Sequence, residues 1–217
     1  MERPSVRSYQ LRGARMTKAQ KSAIDHHGST FILNPSSPFT PRQVFPDGRE
    51  VIVEIGSGMG EASAQIAKAF PEKGFIAIEV HRPGIGSLIL RALQSEVDNL
   101  KMINEDCHLV LDLIEDDSVD TFHIFFPDPW PKTKHRKRRL LNDSFASVLA
   151  KKLRRNGVIR IATDWEDYAR QIEETFARQT SLEGGICDRP EWRPLTKFES
   201  QGIDKEHRVT DFLYKKI

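Results

Sequence analysis

The segment 51–70 constrains the fold of this chain more than any other. Residues 51–55 form a short apolar run that ends in glycines, which is typical of a buried parallel strand. Residues 61–70 then place apolar side chains at helical spacing. A strand that passes through glycines into a helix is the first half of a β-α-β unit, and such units build parallel sheets.

The same alternation continues toward the C-terminus. We predict further strands at 74–79, 101–104, 119–126, 158–163 and 209–217, and helices at 85–93, 143–153 and 166–178. Strands that alternate with helices predict an α/β fold with a mostly parallel sheet and helices on both faces.

Residues 1–50 have a different composition. Five prolines stand among serines and arginines, and no apolar period is sustained. Residues 1–24 carry six lysines and arginines but a single acid, Glu2. We therefore predict a basic, partly disordered arm over 1–50 and one globular domain over 51–217.

Charge and cysteine content narrow the class of protein. A net charge of +2 means that any affinity for nucleic acid depends on where the charges lie. Cys107 and Cys187 are far apart and lack C-x-x-C spacing, which argues against a zinc site or a disulfide framework. No apolar run reaches transmembrane length, and no signal peptide is evident. We expect a cytoplasmic protein without a metal or a membrane partner.

The run 125–139 places one acid in a proline-rich turn and follows it with a basic segment. Pro127 and Pro129 restrict the backbone around Asp128. Residues 132–139, here called the basic segment, contain six lysines and arginines and no acid. Such a segment attracts phosphates, although an ordinary solvated helix surface is the alternative. Asp128 could accept hydrogen bonds from the edge of a base.

The glycine loop 56–60 and its neighbouring acids indicate a cationic ligand. In a dinucleotide fingerprint a third glycine would stand where this chain has Glu61, whose carboxylate would repel a pyrophosphate. Glu79 is placed to hold a ribose diol, or else to favour a helix N-terminus, and Asp106 could accept from an adenine amine. Glu54 lies in an apolar strand and requires a partner that is either cationic or rich in hydrogen-bond donors. These acids favour S-adenosylmethionine over NAD.

Five motifs together resemble the bacterial tRNA (guanine-N7)-methyltransferases. They are Glu54-Ile55-Gly56-x-Gly58-Met59-Gly60-Glu61, Ile78-Glu79-Val80-His81-x-Pro83-Gly84, Pro127-Asp128-Pro129-Trp130 with its basic segment, Ala162-Thr163-Asp164-Trp165-Glu166 and Thr196-Lys197-Phe198-Glu199. The resemblance implies a Rossmann-like class I methyltransferase with a seven-stranded sheet, S-adenosylmethionine as methyl donor and the variable-loop guanine of tRNA as target. The chain departs from the family pattern at Asn156 and at Glu206, where the family usually has glycine; Glu206 puts the role of His207 in question.

The resemblance also implies roles for individual residues. Cofactor positions are Glu54, Gly56, Gly58, Gly60, Glu79, Asp106 and Asp128, and Asp128 is also the catalytic residue. Substrate-binding positions are Lys132, Asp164, Thr196, Lys197, Phe198 and Glu199. RNA-contacting positions are Lys134, His135, Arg136, Lys137, Arg138 and Arg139.

The chemistry of N7 methylation defines what Asp128 would do. Guanine N7 is already a free lone pair, so no base has to remove a proton before it attacks. An ionised Asp128 could accept hydrogen bonds from guanine N1–H and N2–H₂, which would orient the ring and stabilise its developing positive charge. Adenine offers no such pair of donors.

Several alternatives stay open at the level of sequence. Trp130 either stacks on a base or packs beneath the turn, Lys132 meets a phosphate or pairs with Asp128, and Asp164 caps the following helix, contacts the nucleotide, or does both. His123 is expected to be a satisfied core residue. Rival classes are a nicotinamide-dependent oxidoreductase, an RNA-binding module without catalysis and a methyltransferase of small molecules. The oligomeric state is either monomer or homodimer.

Overall fold

The computed structural model describes residues 7–9, 15–45, 47–195 and 208–217. Its strands are β1 (Val51–Ile55), β2 (Gly74–Ile78), β3 (Leu100–Ile103), β4 (Val119–Phe125), β5 (Leu153–Thr163), β6 (Leu182–Cys187) and β7 (Thr210–Lys216). Its helices are α1 (Lys18–Phe31), α2 (Glu61–Ala69), α3 (Arg82–Gln94), α4 (Cys107–Leu113), α5 (Asp143–Lys152) and α6 (Glu166–Ala177), with 3-10 helices at Pro41–Val44 and Thr133–Arg138.

The seven strands form one mixed sheet in the order β3-β2-β1-β4-β5-β7-β6. Strands β1 to β5 pair in parallel, whereas β7 runs antiparallel to both of its neighbours, β5 and β6. The expected number of strands is confirmed. The sheet is mixed because β7 runs in the opposite direction, and hydrophobic periodicity carries no information about strand direction.

Helices cover both faces of this sheet, as predicted. Strand β1 shows the division, because Val51 and Val53 point into one core while Ile52 points into the other. The first core includes Phe145 of α5 and other side chains of α4, α5 and α6. The second core includes Leu88 of α3 and other side chains of α1, α2 and α3.

The order in which successive strands are added to the sheet reverses at β1. From β1 the chain proceeds through β2 to β3 on one side, and then returns to place β4 on the other side of β1. Because β1 to β5 are parallel, their carboxyl ends share one edge. In open α/β sheets, ligands bind in the crevice at such a reversal.

The N-terminal arm is where the sequence-based prediction and the structure differ most. Residues Lys18–Phe31 form helix α1, which Thr17 and Gln20 begin with a reciprocal capping box. Ala23 and Phe31 are buried in the core shared with α3. The prediction of a basic, partly disordered arm did not include this helix. Few of its inward residues are large and apolar, so its helical period is weak.

The prediction also missed helix α4 and strand β6, and it made strand β5 too short. Helix α4 has only seven residues, and β6 contains two glycines, so neither gives a strong periodic signal. Strand β5 begins five residues before the predicted start at 158, because a bulge opposite β4 interrupts its alternation. Asn156 lies in this bulge with φ of 64°, a left-handed conformation that asparagine tolerates. Among the helices of the described residues, none combines the length and the apolar character needed to span a bilayer.

We expect the close packing of α1 on α3 to depend on Gly86. A Cβ added at Gly86 would lie 2.7 Å from the carbonyl oxygen of Gln20. Overpacking in Gly86→Ala should therefore lower the free energy of unfolding by about 1–3 kcal/mol. The higher helix propensity of alanine should offset up to about 1 kcal/mol of this loss. Urea denaturation measures the change. Gly185→Ala is the control, since its added Cβ meets no atom within 4 Å; an equal loss in both variants would contradict the packing argument.

Candidate active site

An acidic side chain lies at or just beyond the carboxyl end of each of the five parallel strands. Glu54 is in β1, and the others are Glu79 after β2, Asp106 after β3, Asp128 after β4 and Asp164 after β5. Parallel pairing brings all five to the same edge of the sheet. The structure thus places the predicted cofactor and catalytic acids along one edge of the sheet.

The glycine loop follows β1 with a backbone that other residues adopt only with strain. Gly56, Gly58 and Gly60 have φ of 81°, 57° and 75°. At Gly56 and Gly58 an added Cβ would meet no atom within 4 Å, so open space lies beside the loop. A ligand can therefore approach this stretch of backbone closely.

Glu79 connects the glycine loop to the end of β2 through hydrogen bonds. One of its carboxylate oxygens accepts from the backbone amide of Gly58 at 2.7 Å and the other from the amide of His81 at 2.8 Å. Burial raises the pKa of Glu79, and these two amide hydrogen bonds offset part of that effect. Each carboxylate oxygen can accept a second hydrogen bond, so Glu79 retains the capacity to bind a ligand hydroxyl.

Glu54 is a buried carboxylate in the middle of an apolar sheet. Its residue is only 4% exposed. Burial raises the pKa of Glu54 to about 7; the charge of Glu79 also raises it, and the Ser63 hydroxyl lowers it in part. Nearby, Ser57 Oγ and His81 Nε2 are buried and have no hydrogen-bond partner within the described part of the chain. Buried polar groups of this kind fit a polar ligand that carries a positive charge.

Asp106 begins helix α4 and is held by His108. Its carboxylate accepts from the backbone amide of His108 at 3.0 Å and lies 3.0 Å from His108 Nδ1. The hydrogen bond from His108 lowers the pKa of Asp106. Asp106, Cys107 and His108 also place one possible metal ligand each within 4.8 Å of one another. Burial raises the pKa of the Cys107 thiol, however, which disfavours the thiolate that binds metals.

The turn at 127–130, here called the Asp128 turn, is preceded by one strained residue and ends on another. Phe126 has φ of 51° and Trp130 has φ of 44°, values that are unfavourable for aromatic residues. The Phe126 amide donates to the Ala162 carbonyl oxygen at 2.8 Å. Such conformations persist only where the surroundings hold them, and they concentrate at functional sites.

Trp130 packs beneath the turn. It is 5% exposed, and its indole N–H donates to the carbonyl oxygen of Ser8 at 2.9 Å. The Arg138 guanidinium lies 4.8 Å from the ring centroid. Because the ring is buried and already covered, packing rather than base stacking is its role. The contact with Ser8 gives residues 7–9 a place beside the site that the sequence analysis missed.

The basic segment contains exposed side chains and one buried arginine. Lys132, Lys134 and Lys137 are exposed. Arg136 is also exposed, and it forms an ion pair of 3.1 Å with Asp167. Arg139 is 2% exposed, so the structure contradicts the prediction that its side chain contacts RNA. The sequence did not show which of the three arginines is buried, since burial depends on the packing of α6 against the segment.

Asp164 and its surroundings form the other side of the site. The N-cap position of helix α6 falls on Trp165, which makes no side-chain capping hydrogen bond, so of the alternatives that the sequence left open for Asp164, the N-cap position belongs to its neighbour. A cavity of about 1080 Å³ opens beside Asp164 and is also lined by Arg170 and Arg189. The predicted substrate residues Thr196, Lys197, Phe198 and Glu199 lie outside the described residues, as do Glu206 and His207.

His123 is buried in β4, as expected, but it is not fully satisfied. Burial lowers the pKa of His123 to about 3, and its ring stacks on Trp192 with centroids 5.2 Å apart. Its Nδ1 has no hydrogen-bond partner among the residues that the structure describes. The low pKa keeps the ring neutral, which suits its aromatic environment.

Comparison with known proteins gives a consistent result. A family model described as "Putative methyltransferase" matches residues 48–212. The chain is 42% identical to the tRNA (guanine-N(7)-)-methyltransferase of Nitrosomonas eutropha, over 98% of this chain and 97% of that protein. It is 43% identical to the protein of the same name from Nitrosomonas europaea, over 97% and 96%. Its fold is similar to that of the 16S rRNA methyltransferase KamB, with a TM-score of 0.56 at 13% identity, covering 97% of this chain and 98% of that one.

The raised pKa of Glu54 predicts a pH-dependent loss of stability in the ligand-free protein. A carboxyl whose pKa is higher in the folded than in the unfolded state stabilises the fold at low pH, and this contribution is lost as the pH rises from 4.5 to about 7. The shift corresponds to about 3 kcal/mol at most. At about pH 8, Glu54→Gln should therefore have a higher free energy of unfolding than the parent protein. At about pH 5 the difference between the two proteins should be much smaller.

Urea unfolding of the ligand-free protein at both pH values measures this difference. Glu72→Gln, at an exposed position, is the matched control and should behave like the parent protein. A constant difference between Glu54→Gln and the parent at the two pH values would contradict a buried carboxyl with a raised pKa.

Proposed function

The chain belongs to the tRNA (guanine-N(7)-)-methyltransferase family, and from this premise we propose that its crevice binds S-adenosylmethionine beside a tRNA guanine. The protein transfers a methyl group to N7 of guanine in tRNA. The observation that carries the proposal is the neighbouring position of the glycine loop and the Asp128 turn. They follow β1 and β4, which pair directly in parallel.

The residues of the crevice fit S-adenosylmethionine, which supplies an electrophilic methyl group on a sulfonium. Glu79 would hold the ribose hydroxyls and Asp106 the adenine amine. Glu54 is a buried carboxylate that a cationic ligand would stabilise in its ionised form. The open backbone at Gly56 and Gly58 allows the ligand to lie against the loop.

Asp128 would orient the guanine rather than remove a proton. The N7 lone pair needs no base, so the site has to align N7 with the methyl group and exclude water. Orientation of this kind contributes about 7–11 kcal/mol in favourable cases. The strained backbone on both sides of Asp128 supports this role, because a rigid turn fixes the direction of its carboxylate. An ionised carboxylate also stabilises the positive charge that develops on the purine.

The tRNA backbone would lie along the exposed lysines of the basic segment. Lys132, Lys134 and Lys137 are exposed and directly follow the Asp128 turn. Phosphate contacts there would present the target guanine to Asp128, and the variable loop is the region that the family resemblance implies. Substrate contacts through Asp164 and the stretch 196–199 are part of the same proposal, as is action in the cytoplasm.

We expect the purified protein to transfer a labelled methyl group from S-adenosylmethionine to tRNA and to yield 7-methylguanosine on nucleoside analysis. Asp128→Asn keeps the shape but weakens the acceptor, so kcat should fall by about 10²–10³-fold, as on loss of one stabilising hydrogen-bonding group. The Kd for S-adenosylmethionine should change by less than about threefold, because that affinity is spread over several residues.

Asp98→Asn, at an exposed site, is the control and should keep the parental rate. An unchanged kcat in Asp128→Asn would remove Asp128 from the proposal. Binding of NAD instead of S-adenosylmethionine would favour an oxidoreductase, and tRNA binding without transfer would favour an RNA-binding module.

Substituting the three exposed lysines of the basic segment should weaken tRNA binding in a salt-dependent way. The variant Lys132→Ala/Lys134→Ala/Lys137→Ala should bind tRNA with a weaker dependence on salt. Each lost phosphate contact should make the plot of log association constant against log salt concentration less steep by about 0.7–0.9. Filter binding or fluorescence anisotropy at several salt concentrations measures the slope.

The matched control removes three lysines at the opposite edge of the sheet. Lys68 lies in the last turn of α2, Lys151 lies in the last turn of α5, and Lys215 of β7 pairs with Val158 of β5. All three are exposed. Their triple alanine variant loses the same charge. If both triple variants show the same slope, the basic segment has no specific role in binding tRNA.

A further inference from the structure

One arginine of the basic segment faces inward and contacts the Asp128 turn. Arg139 Nε donates to the carbonyl oxygen of Pro129 at 2.8 Å. Its two terminal nitrogens donate to Gln171 Oε1 at 2.7 Å and to Asp167 Oδ2 at 2.6 Å. The side chain is 1% exposed. A buried charge is costly unless its donors are satisfied, and here all three nitrogens of the guanidinium have acceptors.

The same guanidinium joins the turn to helix α6. Its centre lies 4.8 Å from the ring centroid of Tyr168, and Asp167, Tyr168 and Gln171 all belong to α6. The Tyr168 hydroxyl accepts from the Leu141 amide at 2.9 Å, which holds the chain just after Arg139. Burial raises the pKa of Tyr168, the charge of Arg139 lowers it and the charge of Asp128 raises it. Both charged groups therefore lie near the same phenol.

The Asp128 turn requires such a fixed contact. Proline has no N–H, so Pro129 offers only its carbonyl to the surroundings, and Arg139 occupies that carbonyl. The strained residues Phe126 and Trp130 each cost about 1–3 kcal/mol, and the neighbouring structure must supply that energy. A planar guanidinium that binds the turn and α6 at once provides the geometry, which the single ammonium of lysine does not reproduce.

We propose that Arg139 is a positioning residue for methyl transfer: it holds the 127–130 turn against α6 and thereby directs the Asp128 carboxylate at the guanine. This proposal rests on the proposed role of Asp128. It separates Arg139 from the exposed lysines of the same basic segment, which would act on tRNA binding. Arg139 would act on the catalytic step and leave the electrostatic attraction of tRNA unchanged.

The test combines Arg139→Lys with Asp128→Asn in a double-mutant cycle. Arg139→Lys keeps the positive charge but loses the planar guanidinium with its fixed set of donors. We therefore expect kcat to fall about 10–100-fold, while the KM for tRNA and the salt dependence of tRNA binding stay at parental values. In the Asp128→Asn background, Arg139→Lys should lower kcat by less than about threefold, because the group that it positions is already lost. Arg178→Lys, at an exposed pair with Asp143, is the matched control and should keep full activity.

A second variant covers the case in which Arg139→Lys does not fold. Gln171→Ala removes one of the three acceptors and should lower kcat by about 3–10-fold, with the same dependence on Asp128. Thermal unfolding of each variant establishes that the compared proteins are folded.

The outcomes separate this proposal from the one on which it rests. A raised KM for tRNA with a flatter salt slope and a parental kcat would show that Arg139 binds RNA, and would overturn positioning. Equal losses from Arg139→Lys in both backgrounds would also overturn it, because Arg139 would then act independently of Asp128. A parental kcat in Asp128→Asn alone would overturn the role of Asp128, and the positioning proposal with it.

Discussion

Parallel pairing of β1 with β2 on one side and β4 on the other determines where chemistry can occur in this protein. The register places Glu54 beside Ala77 of β2 and His123 of β4, so the three strands end side by side. The chain leaves β1 through glycines and leaves β4 through the Asp128 turn. A loop open to a ligand and a rigid acid thus follow neighbouring strands at the same edge of the sheet. The remaining strands extend this edge, and the helices cover the two faces.

Within this frame, the buried charges fall into two groups. Although burial alone would raise the pKa of Asp120, hydrogen bonds from Arg42, the Val51 amide and Arg154 lower it overall. Arg193 and Asp211 likewise form a buried ion pair at 2.9 Å. Glu54 differs, because burial raises its pKa to about 7 and no cation contacts it among the described residues. Buried pairs that satisfy each other maintain the fold, whereas Glu54 is suited to a ligand.

The basic segment shows how one run of similar residues is divided between the surface and the interior of the protein. Lys132, Lys134 and Lys137 are exposed, and Arg139 is enclosed by α6. A planar guanidinium can satisfy three acceptors in a buried site, whereas an ammonium is strongly hydrated and remains at the surface. This difference in side-chain chemistry supports the proposed division, in which the lysines attract the polymer and Arg139 holds the Asp128 turn.

The sequence determined the elements whose signal is local. The apolar run of β1, the glycines after it and the acids at the strand ends were all predicted, because burial on both faces leaves a continuous hydrophobic pattern. The tertiary structure alone decided the direction of β7, the packing of α1 on α3 and the burial of Arg139. These features depend on contacts between residues distant in the chain, such as Gln20 with Gly86 and Arg139 with Gln171. Periodicity and residue type describe each segment separately, and the energy of such contacts arises only when the segments meet.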